Sequence, residues 1–147
     1  MKNYALLFFL ALSIVSCTLK DDFKDLDKET AIGLLTAHKW HGVKATRYLN
    51  DKEQSSQDLS KQMVTFNTER DFIKTVNGVV VIDGNWHWMD NPEIPTVMIQ
   101  YPSPAGSNQN EIYELKINIL TDDYLEYSIY DTDANGQTIR DDYFFQK

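Results

Sequence analysis

Residues 112–119 read Ile112-Tyr113-Glu114-Leu115-Lys116-Ile117-Asn118-Ile119. Tyr113, Leu115, Ile117 and Ile119 share one parity, while Glu114, Lys116 and Asn118 share the other. A period of two belongs to an extended strand with one face against a core and one in water. A helix would scatter the same residues around its circumference, so this stretch sets the fold class as β.

The same chemistry recurs on either side. Strands are predicted at residues 38–49, 62–67, 71–76, 79–89, 96–101, 111–120, 124–131 and 137–146. Turn signals separate them. Asn77-Gly78 is the strongest, because both residues tolerate the positive φ of a type I′ hairpin turn. Asn135-Gly136, Asp90-Asn91-Pro92 and Thr121-Asp122 mark further connections. Short strands at this spacing predict an all-β domain, an antiparallel up-and-down barrel of about eight strands. Ahead of it, Ile32, Leu34 and Leu35 predict a short N-terminal helix over 29–37, with Asp27 as N-cap.

The chain has 147 residues, which suits one domain, and a net charge of −8. Phosphate binding needs clustered Lys and Arg, so nucleic acid is excluded as a partner class. The charge also opposes surface attraction to anionic lipid headgroups. The single cysteine, Cys17, rules out an intrachain disulfide.

Position explains that cysteine. Lys2 is followed by an apolar run over 4–15, too short to span a bilayer and suited to a signal-peptide core. The run ends in Ile14-Val15-Ser16-Cys17, which resembles the bacterial lipobox. The resemblance implies a signal peptide over 1–16 and a diacylglycerol thioether on Cys17, the mature N-terminus. Residues 17–28 then form the lipidated cysteine and an acidic tether, and 29–147 the barrel. Lys20-Asp21-Asp22 resembles the surface-export signal of Bacteroidota lipoproteins, which places the expected location at the outer membrane, with a lean towards the cell surface.

A broader resemblance rests on several motifs in order. Leu34-Leu35 leads to Trp40; then come Val64-Thr65-Phe66-Asn67, Gly84-Asn85-Trp86-His87-Trp88, residues 119–126 (Ile-Leu-Thr-Asp-Asp-Tyr-Leu-Glu) and the terminal Tyr143-Phe144-Phe145-Gln146-Lys147. This series resembles the lipocalin-like domain lipoproteins of Bacteroidota over roughly residue 30 to the end. The resemblance implies a barrel with an apolar interior, held at the cell envelope by lipid on Cys17. The family usually carries Gly two positions before the first-strand Trp, and this chain has His38 there.

In an up-and-down barrel successive connections alternate between the two ends. Residues 50–61, 77–78, 102–110 and 132–136 therefore share one end, the expected mouth. The helix is expected to cap the other, where Trp40, Trp86 and Trp88 read as a core plug rather than a stacking platform. Tyr48, Met63, Tyr113, Leu115, Tyr127 and Ile129 are the expected inward residues near the mouth. Such walls suit a small hydrophobic or amphipathic ligand, or simply fill a small barrel. The alternative function is a non-catalytic interaction domain that binds an envelope protein or glycan through loops or a sheet edge.

No catalytic constellation is assigned. His38 and His41 fall on opposite faces of one strand, no zinc spacing is present, and no nucleophile elbow or phosphate-cradling loop occurs. The run Asp131-Thr132-Asp133-Ala134-Asn135-Gly136 matches the start of a calcium loop, with Asp142 at the twelfth position. Without flanking helices it reads as a turn. The sequence thus predicts a non-enzyme with no cofactor and no metal.

Overall fold

The computed structural model describes residues 26–90, 94–103 and 109–147. Its elements are α1 (Lys28–Ala37), β1 (Lys39–Leu49), β2 (Lys52–Asp58), β3 (Gln62–Phe66), β4 (Asp71–Val76), β5 (Val79–Met89), β6 (Thr96–Pro102), β7 (Asn110–Leu120), β8 (Tyr124–Thr132) and β9 (Thr138–Gln146). The expected signal peptide, Cys17 and most of the tether lie outside the described residues, as do Asn91-Pro92 and the middle of the 102–110 connection.

All strand pairings are antiparallel, and β1 pairs with β9 to close the sheet. β2 and β3 run along one edge of β1, β2 opposite residues 44–49 and β3 opposite residues 39–41. They act as a single interrupted strand, so the barrel has eight. Asn77 and Gly78 have φ of 53° and 77°, as the type I′ hairpin requires.

α1 begins where Asp27 caps it: the carboxylate accepts from the backbone N–H groups of Glu29 and Thr30 at 3.0 Å. Ala31 and Leu35, one turn apart, are its buried residues. Leu35 meets the barrel through Trp40, whose indole N–H donates to the Leu35 carbonyl at 2.9 Å. The helix thus closes the end where Trp40, Phe66, Trp86, Leu125 and Phe145 form the barrel floor. Phe66 meets Trp86 edge to face at 5.9 Å, and the Trp86 indole donates to the Asn67 carbonyl at 3.0 Å. Trp40 and Trp86 are buried core, and the half-buried Trp88 packs beside them.

Three features differ from the sequence expectation. Residues 50–61 are not a long loop. Asn50 and Asp51 (φ 48° and 62°) make a two-residue turn, and the chain returns as β2. That strand, Lys-Glu-Gln-Ser-Ser-Gln-Asp, is exposed at every residue. With water on both faces it has no apolar alternation to betray it.

The second difference lies in β7. A bulge at Asn118 resets the alternation: Ile117 opposes Tyr127, but Ile119 opposes Glu126 and Leu120 opposes Leu125. Leu120 therefore takes the core position expected of Ile119.

The third lies in β1, where the register with β9 slips between Gly42 and Lys44. Gly42 opposes the buried Phe145, whereas Ala45 opposes Tyr143 and Arg47 opposes Asp141. Inward parity passes from even to odd numbers at this bulge. The glycine is needed for space: a Cβ on Gly42 would collide with the carbonyl oxygen of Leu59, the buried residue that joins β2 to β3. His38, where the resembled family has Gly, instead packs edge-on to Trp40 at 5.5 Å and bonds Asp122 at 2.9 Å.

The two glycines should respond in opposite directions. Gly42→Ala is expected to destabilise the barrel by about 2 kcal/mol, since overpacking against backbone leaves little room to relax. Gly33→Ala faces open space in α1 and should stabilise by about 0.5–1 kcal/mol. Urea midpoints with unchanged m-values check both signs.

Candidate functional site

Above the floor the interior is not filled. A chamber of about 190 Å³ is lined by Phe72, Lys74, Ile82, Ile99 and Tyr101 on one side and by Tyr113, Leu115, Tyr127, Ile129 and Tyr143 on the other. Each residue arrives by strand alternation. Phe72 and Lys74 share the inner face of β4, Ile99 and Tyr101 that of β6, and Tyr127 and Ile129 that of β8. Tyr113, 39% exposed, marks the side on which the chamber meets solvent.

Four of the six expected wall residues, Tyr113, Leu115, Tyr127 and Ile129, line this chamber. Tyr48 and Met63 do not. Counting alternate residues from Trp40 brings Tyr48 inward, but the Gly42 bulge reverses the parity. Tyr48 opposes Arg140, whose guanidinium lies 4.3 Å over its ring and also holds Asp51. Met63 alternates with the buried Val64, so it points away from the interior.

The sequence reading missed the other six, the apolar Phe72, Ile82 and Ile99 and the polar Lys74, Tyr101 and Tyr143. A parity count would have found Tyr101, two residues beyond Ile99, and Tyr143, two before Phe145. Lys74 gives no such signal, because a lysine on a half-buried strand ordinarily marks the solvent face.

The polar groups fall into two sets. One set is mutually satisfied. Arg47 and Asp141, paired on the inner parity, form a two-pronged ion pair at 2.7 and 2.6 Å. The hydrogen bonds that Arg47 donates to Asp141 raise the Arg47 pKa. The Glu111 carboxylate accepts from Tyr101 Oη at 2.8 Å, Ser103 Oγ at 3.0 Å and, more weakly, Tyr113 Oη at 3.4 Å. These donors, Tyr101 first, lower its pKa. Burial and the same carboxylate push the Tyr101 hydroxyl up.

The other set is unengaged. Among the described residues, Lys74 Nζ has no carboxylate within 4 Å and no hydrogen-bond acceptor; it lies 6.0 Å from the centre of the Tyr143 ring. Burial lowers its pKa. Tyr127 is 4% exposed and stacks on Tyr143 at 5.2 Å, and neither hydroxyl has a protein partner among these residues. Burial raises both phenol pKa values. The chamber therefore offers one ammonium, two phenol hydroxyls and apolar walls.

The run over 131–136 forms the turn expected from its sequence. Asp133 Oδ1 accepts from the N–H groups of Asn135 and Gln137 at 2.8 Å, building the turn between β8 and β9. These bonds, the one from Gln137 first, lower its pKa. Asp142 opposes Thr46 and accepts from Ser128 at 2.7 Å, within the sheet rather than at the turn.

No protein-family profile, characterised protein or solved structure matches this chain.

Asp133→Ala should lower the urea midpoint, because two backbone donors lose their acceptor. Millimolar calcium is expected to leave the melting temperature of both wild type and variant unchanged. A rise confined to the wild type would contradict the turn assignment.

Proposed function

We propose that this protein is a lipid-anchored binding barrel of the cell envelope, one that holds a small amphipathic ligand and performs no chemistry on it. The chamber carries the reading. Apolar walls with a few placed polar groups are the usual make-up of a small-molecule site. Its 190 Å³ falls below the ~300 Å³ at which drug-sized pockets begin, which favours a small ligand.

The anchor reading rests on the lipobox-like Ile14-Val15-Ser16-Cys17. Two or more acyl chains hold a protein at a bilayer where one alone does not. The motif series supports a kinship with the lipocalin-like lipoproteins of Bacteroidota, and with it an outer-membrane location. The tether leads into α1 at the closed end, where Lys28 pairs with Asp90 at 2.7 Å. Attachment there would present the open end away from the membrane and towards ligand.

The alternative, an interaction domain, is favoured by one observation. β5 meets β6 only from Asn85 onward, so its first half has a free edge. Val79, Val80 and Val81 on that stretch are 65%, 53% and 53% exposed. A strand edge with exposed valines is a place where another chain can pair.

Native mass spectrometry of the protein purified from its own membrane tests both readings. The expected spectrum shows acyl mass on Cys17 and a retained small molecule, lost in Ile129→Trp, which fills the chamber. A bare chain, with a protein partner that leaves only when Val80→Lys is introduced, would transfer the function to the β5 edge.

A further inference from the structure

Of the chamber's unengaged groups, the two phenols can donate or accept, and the third, the Lys74 ammonium, can only donate and carries a charge. A lysine ammonium inside a barrel, without a carboxylate or carbonyl to receive it, costs stability that an aliphatic residue would not. The hydroxyls of Tyr127 and Tyr143, whose rings stack at 5.2 Å, have no protein partner among the described residues and are open to a ligand. Three other charged groups on the inner parity, Arg47, Asp141 and Glu111, are met within the protein. Asp141 takes both prongs of Arg47, and Glu111 is covered by three hydroxyls. Neither carboxylate is left to receive a cationic ligand, and Arg47 is not free for an anionic one.

We propose that the ligand is a small amphipathic monoanion, a carboxylic acid whose carboxylate sits among Lys74 Nζ and the hydroxyls of Tyr127 and Tyr143. This rests on the chamber being a binding site and specifies its ligand class. A single uncompensated ammonium matches a single negative charge, so a carboxylate fits where a phosphate dianion leaves one charge unmet. Two phenol donors and an ammonium can satisfy both carboxylate oxygens. The tail lies against Phe72, Ile82, Ile99, Leu115 and Ile129, which present no polar side-chain atom. Its length is short, because 190 Å³ falls below the ~300 Å³ at which drug-sized pockets begin. The burial that lowers the Lys74 pKa adds a reason for tight pairing, because an anion restores to the ammonium what desolvation removes.

Three six-carbon probes with different heads test the assignment: hexanoate, 1-hexanol and hexylammonium. Each is titrated against the acylated full-length protein in lipid nanodiscs, with empty nanodiscs as the blank. Hexanoate is expected to bind at least tenfold more tightly than hexanol, and hexylammonium most weakly. Lys74→Met and Lys74→Gln should each lose at least tenfold for hexanoate while holding hexanol within twofold. Lys74→Arg should keep the preference for the acid, and Tyr127→Phe should lose a smaller factor. Lys74→Met should also melt no lower than wild type without ligand, which confirms that the loss is not unfolding. If hexanoate binds Lys74→Met as well as wild type, or hexylammonium matches hexanoate, the carboxylate assignment is wrong. Hexanol binding that persists in that case leaves the chamber a binding site. Failure of all three probes at millimolar concentration removes both.

Discussion

β1 pairs with β9 from His41 opposite Gln146 to Leu49 opposite Ile139, and the rest of the structure depends on this seam. A sheet left open along it would have two long free edges and no interior. Closure turns one face of every strand into an inside; among the described residues, unpaired edge remains along β2, at the start of β5 and at the start of β7, which meets β8 only from Lys116 onward. The seam also needs its irregularity. The slip between Gly42 and Lys44 admits Leu59 beneath β1 at one level and brings Arg47 to Asp141 at another. One bulge thereby sets both a packing contact at the floor and an ion pair on the inner side of the seam.

The interior is divided by what its inward residues can fill. At the capped end, Trp40, Phe66, Trp86 and Phe145 are large enough for their side chains to meet across the barrel, and Leu35 of α1 completes the layer. Nearer the open end the inward positions hold Lys74, Tyr113, Ile129 and the Arg47–Asp141 pair. Charged groups cannot be drawn together over apolar neighbours as aliphatic side chains can, because their solvation opposes it. The chamber is the space they leave. The same division puts stability in the floor and unmet hydrogen-bonding capacity in the chamber, a separation common in proteins whose sites cost some of the stability that their cores supply.

Much of the fold was legible because one face of each main strand is wet and the other dry. Octets such as 112–119 carry that difference in their spacing, and Asn77-Gly78 states its turn in two residues. β2 was not legible, since a strand with both faces in water has no hydropathic period. Wall residues were legible where alternation ran unbroken, as at Tyr127 and Ile129. They were misread at Tyr48, where a bulge lay between the residue and the tryptophan that set the phase.

The sequence alone determined the class: alternating strands, placed turns, a capped helix and aromatic residues sufficient for one core, all of which depend on spacing between near neighbours. Only the tertiary structure decided which residues share the interior. Parity along a strand is reversed by a single bulge, and bulges arise from packing between segments far apart in the chain, such as Gly42 against Leu59 and Phe145. For the same reason Lys74 could not be recognised in advance. A lysine without a partner is an ordinary surface residue until the closing of a barrel places it, with two tyrosines, against apolar walls.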